Sequence, residues 1–174
     1  MEVTKVKRLN DLTTVEWTKP NGRHTEAGSL EECPDTPKKD FLDQFATVEV
    51  DLIAKTPFGK KFGDSFTLTG ISLTRNAKGR RQFSPSGKID FGWGEIGVSM
   101  PLLLEHDDEG GSTAENVLTE TETENIDQLF ALAAEYATGA REQATLDLED
   151  KEPADPFEDA EEHEEEHELA GAAH

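Results

Sequence analysis

The end of the chain sets the limit on how much of it can fold. From Glu142 to His174 there are fourteen acidic residues and a single base, Lys151. That stretch holds thirteen of the net −21 charges, which leaves −8 on residues 1–141. Its like charges repel, and it has too little apolar surface to offset the entropy of ordering. Residues 142–174 are therefore expected to be a disordered acidic tail, and residues 1–141 a single domain. Within 174 residues that leaves room for one core of ordinary size.

The body begins with loosely alternating apolar residues, Val3, Val6, Leu12, Val15 and Trp17, which predict one or two short strands before a turn at Pro20-Asn21-Gly22. Residues 22–37 are polar and aperiodic and read as a loop. Thr36-Pro37 reads as a helix start. Phe41, Phe45, Val48 and Leu52 then recur at helical spacing, although Val48, Val50 and Leu52 also alternate as a strand would. A helix over about 37–54 is the expectation.

Thr56-Pro57 and Gly59 close that element. Residues 65–75 read as a strand, with Phe66 and Leu68 on one face, Ile71 and Leu73 on the other, and a bulge at Gly70 between them. Turns are expected at 76–79 and 84–87. Ile89, Phe91 and Trp93, then Ile96, Val98, Met100 and Leu102, complete an antiparallel meander over 65–104, with Pro101 at an edge or a strand end. Ile126, Leu129, Phe130, Ala133, Tyr136 and Ala137 mark an amphipathic helix over about 122–140. The expected fold is α+β: a small, mostly antiparallel sheet, two helices and the tail.

Two motif matches fail on context. His163-Glu-Glu-Glu-His167 fits the zinc-protease pattern H-E-x-x-H, but it lies in a run of glutamates with no apolar residue to bury that helix against a cleft. Gly92-Trp-Gly-Glu-Ile-Gly97 fits the dinucleotide fingerprint G-x-G-x-x-G. That mechanism needs a helix to begin inside the motif, whereas Val98-Ser-Met-Pro101 is strand-like and favours a glycine-kinked hairpin. Cys33, the one cysteine, sits among acids with His24 nine residues away, which speaks against a catalytic nucleophile. No enzyme, metal or cofactor is expected.

One cysteine allows no internal disulfide, Met1–Asn10 lacks an apolar signal core, and Val98–Leu104 is too short to cross a bilayer. A soluble cytoplasmic protein with no membrane partner is the expectation.

The bases cluster in two turns, Lys55, Lys60 and Lys61 in the first and Arg75, Lys78, Arg80 and Arg81 in the second. Phe58, Phe62, Phe83 and Trp93 lie beside or between them. Charge for phosphates and rings for bases are what single-stranded nucleic acid requires. The bland alternative is that the rings are core and the bases solubilise loops. The candidate nucleic-acid site is Lys55, Lys60, Lys61, Phe62, Arg75, Lys78, Arg80, Arg81, Phe83 and Trp93. A basic-edged sheet followed by an acidic C-terminus is similar in architecture to single-strand-binding proteins, whose tails compete for the basic groove. Those tails commonly end in an apolar or aromatic tip, whereas this one ends Leu169-Ala-Gly-Ala-Ala-His174.

Over residues 15–142 the chain also resembles a group of small uncharacterised phage proteins. The resemblance rests on Trp17, an acidic Pro-containing loop, Pro37-Lys-Lys-Asp-Phe-Leu42 opening a helix, the strand Leu68-Thr-Gly-Ile-Ser-Leu73, a hairpin and a closing helix like Glu124–Gly139. It implies a phage or prophage accessory role, in the host cytoplasm, and transfers no site residue. The functional expectation is a non-enzymatic binding protein for single-stranded nucleic acid. Its rival is an acidic protein-interaction module that mimics nucleic acid or docks on a basic partner through the tail.

Overall fold

A computed structural model describes residues 1–106 and 116–140, with the backbone alone for 57–59. Strands β1 (Glu2–Leu9), β2 (Leu12–Asn21) and β3 (His24–Cys33) come first. Helices α1 (Lys39–Lys55) and α2 (Pro57–Phe62) and a 3-10 turn (Gly63–Ser65) follow. Then come β4 (Phe66–Arg75), β5 (Arg81–Asp90), β6 (Glu95–Ser99), β7 (Leu103–Leu104) and α3 (Glu120–Ala137). The strands form one open antiparallel sheet in the order β3-β2-β1-β4-β5-β6, with β7 pairing β5 beyond the end of β6.

Helices α1 and α3 pack on each other, α1 lies on β4, and α3 lies on β1 and β2. One face of the sheet is thus covered. Phe41, Phe45, Val48 and Leu52 of α1 meet Val6, Val15, Ile71, Phe83 and Ile89 of the sheet and Ile126, Leu129 and Ala133 of α3 in one core. Helix α3 is fixed at its start by a reciprocal cap between Thr119 and Glu122. Glu122 also pairs with Lys55 at 3.0 Å, and Tyr136 Oη donates to the Asp35 carbonyl at 2.6 Å. The other face is polar, carrying half-buried Lys5, Lys7, Ser72, Gln82, Ser84, Ser86 and Lys88.

The α+β class holds, but the expected two helices are corrected to three among the described residues, the addition being α2. Residues 24–33 are a strand, not a loop. Gly22, at φ +61°, turns the chain back so that β3 pairs along β2, and pairing supplies the order that composition does not. Helix α1 continues to Lys55 because its four apolar anchors face the core. It starts at Lys39, after Pro37. The turn expected at 84–87 lies inside β5. Pro85, lacking an N–H, sits at the gap between β6 and β7, where its carbonyl accepts from Met100 N–H at 2.9 Å.

The bulge in β4 is present, between Leu68 and Gly70, with a different effect from the one expected. The extra residue resets the alternation, so Phe66, Leu68, Ile71 and Leu73 all face the core. Pairing of β1 with β4 stops at Gly70, and the Leu68 N–H just before it donates to the Glu49 carboxylate on α1 at 3.1 Å. The tail boundary and His163-to-His167 lie outside the described residues.

Candidate binding surface

Strand β4 separates the two basic turns. Its ten residues span about 30 Å, with Lys55, Lys60 and Lys61 at its start and Arg75, Lys78, Arg80 and Arg81 at its end.

At the far end the arginines are engaged within the fold. Arg75 reaches Glu2 at 2.6 Å, and Arg80 donates to the Glu105 carbonyl. Arg81 takes Glu105 at 2.8 Å and forks onto Asp127 of α3. The Asp127 hydrogen bond holds the Arg81 guanidinium protonated beyond its ordinary range, against the opposing effect of burial. Burial pushes Glu105 up, but Arg81's hydrogen bonds and charge win and hold it below the ordinary carboxylate range. This network ties β5 to α3. Phe83, expected as a stacking platform, is fully buried against Phe130 at 6.4 Å, so its ring cannot meet a base. The alternation of β5 puts residues 83, 85, 87 and 89 inward. Lys78 is exposed in its turn. At the near end Lys55 is paired to Glu122.

A compact aromatic surface lies at the near end. Phe91 N–H donates to the Gly94 carbonyl at 3.1 Å, closing a two-residue hairpin around Gly92 and Trp93. Gly92, at φ +78° in the first central position, supplies the turn geometry that suits the twist of β5 and β6. Trp93 is thereby held out, 80 % exposed. It stacks on Phe91 with centroids 5.7 Å apart and an interplanar angle of 26°. Phe91 meets Phe62 of α2 edge to face, also at 5.7 Å. Lys61 stands 5.3 Å over the Phe62 ring. Exposed Lys60 and Lys61 line an open hollow with Phe62, Gly63, Asp64 and Ser65.

Of the ten expected residues, the structure brings together Lys60, Lys61, Phe62 and Trp93. Phe91 was missed. Its signal was the Ile89-Phe91-Trp93 alternation, which carries the inward face of β5 into the turn. The Gly92-to-Gly97 stretch is this hairpin and opens no helix. Among the described residues no group of three or more His, Cys, Asp or Glu could hold a metal ion, and no helix is long and apolar enough to cross a membrane. No protein-family model matches the sequence, and neither does any curated protein or any solved structure.

Proposed function

We propose that this is a binding protein for single-stranded nucleic acid, acting through Phe62, Phe91 and Trp93 with Lys60 and Lys61 beside them. The observation that carries the reading is the ring ladder ending in Trp93, 80 % exposed. A large ring left in water and pre-stacked on a second ring loses little freedom when a base joins it. The outer face of Trp93 is open to one base, while the two lysines offer charge for phosphates at the other end of the ladder. Arg75, Arg80, Arg81 and Phe83 drop out of the site, and Lys55 contributes through the fold. The phage-type accessory role rests on the resemblance alone.

The test is anisotropy of a labelled single-stranded oligonucleotide across a salt series. Trp93→Ala should weaken binding by about 1–3 kcal/mol, the worth of one stacked base. Lys60→Ala with Lys61→Ala should lower the salt slope by about 1.4, since each contact to a single strand contributes roughly 0.7. An oligonucleotide that fails to bind at low salt, where attraction is least screened, would sink the reading. The acidic protein-interaction reading would then take its place.

A further inference from the structure

Strand β6 ends the sheet on one side, and its hydrogen bonding can be followed residue by residue. Phe91 N–H donates to the Gly94 carbonyl, and Met100 N–H donates to the Pro85 carbonyl. Between them β5 and β6 pair without a shift, Ile96 opposite Ile89 and Val98 opposite Gly87. An antiparallel ladder alternates, so residues 96 and 98 bond inward while Glu95, Gly97 and Ser99 turn their N–H and C=O groups away from β5. Among the described residues no strand lies beyond them. Such a row of unpaired groups is a template for another strand. The next outward-facing position is Pro101, which has no N–H, so the open edge stops at Ser99.

The two sheet edges differ. Strand β3 carries three glutamates, Glu26, Glu31 and Glu32, which guard it by charge. Strand β6 carries one, Glu95, and Lys88 of β5 pairs with it at 2.7 Å. Gly97 is not required by the fold: its φ is not positive, and an added Cβ would meet nothing within 4 Å. Glycine in a strand costs stability and often marks the close approach of another backbone. Among the described residues, four of the six exposed large hydrophobics, Phe91, Trp93, Ile96 and Leu102, lie on this hairpin or just after it.

We infer that β6 pairs with β6 of a second copy of this chain, antiparallel about a twofold axis at Gly97. In that register Gly97 faces Gly97, Glu95 faces Ser99, and Ile96 faces Val98. All three outward residues of each strand find bonding partners, no like charges stand opposite, and Ile96, 46 % exposed in the single chain, is covered by an apolar residue. The contact is self-complementary, as a twofold interface must be. Trp93 lies beyond the paired residues, level with Pro101 of the other copy.

Sedimentation velocity of the full chain over a concentration series tests this. The expected result is a mass twice that of one chain at high concentration. Added salt should strengthen the association, because each copy carries −21. Gly97→Pro removes an outward N–H that bonds nothing among the described residues, and Ile96→Glu places a charge opposite Val98. Loss of the doubled mass in either variant, with the circular dichroism spectrum unchanged, supports the pairing. A single-chain mass for the wild type at every concentration, or a doubled mass that survives both substitutions, overturns it.

Discussion

Glu49, which ties α1 to β4, and Glu105, which holds Arg81 of β5, respond to pH in opposite senses. Burial raises the Glu49 carboxyl above its ordinary value, against the pull of the Leu68 N–H. Its contribution to stability is complete below the ordinary carboxylate pKa and fades as pH rises through the raised value. Glu49→Gln keeps an acceptor for Leu68 and removes the charge. Its thermal midpoint should match the wild type near pH 4 and exceed it near pH 8. Glu49→Ala leaves that N–H without its acceptor and should cost about 1–3 kcal/mol. Glu105, held low by Arg81, behaves in reverse: its contribution is present above the ordinary value and is lost as pH falls through the lowered one. Glu105→Gln should therefore destabilise by up to about 1 kcal/mol at neutral pH and flatten the acid side of the stability curve. Thermal melts from pH 3 to pH 9 would check both; parallel slopes for the two variants would contradict this account.

At the scale of elements, β4 and β5 are held close by a ring packed over a glycine. A Cβ on Gly87 would come within 2.2 Å of the Phe66 ring and 2.7 Å of the Thr67 carbonyl oxygen. Gly87→Ala should cost about 1–3 kcal/mol in denaturant unfolding, as overpacking does, whereas Gly94→Ala should cost far less because nothing lies within 4 Å of it. Gly87 also shows where sequence reading fails. Ser84-Pro-Ser-Gly87 has turn composition, yet its glycine makes room for Phe66 and its proline faces a gap in the neighbouring strand. Both reasons are tertiary. Strand β3 was hidden likewise, since His24–Cys33 has no period of its own and takes order from β2. Helix α1 was legible because Phe41, Phe45, Val48 and Leu52 mark one face. For the site, the glycines around Trp93 were visible in advance. The burial of Phe83 and the arginine–carboxylate pairs needed the alternation of β5 and the placement of α3.

For the whole molecule, the described apolar cluster runs from Val3 to Tyr136. A chain ending at Ala140 should keep the thermal midpoint of the full chain to within a few degrees. A drop of ten degrees or more in a melting experiment would show that the acidic segment contributes to the fold. The same truncation should tighten oligonucleotide binding, since residues 141–174 take a net twelve negative charges with them. The two tryptophans make such experiments separable by light alone. Trp17 lies half-buried across Gly28, inside the sheet, while Trp93 stands in water at the hairpin tip. Emission from the first should be blue-shifted and deaf to iodide; emission from the second should be red-shifted and readily quenched. A ligand at the hairpin would dim one colour and unfolding would change the other, so the chain carries two independent optical probes without any label.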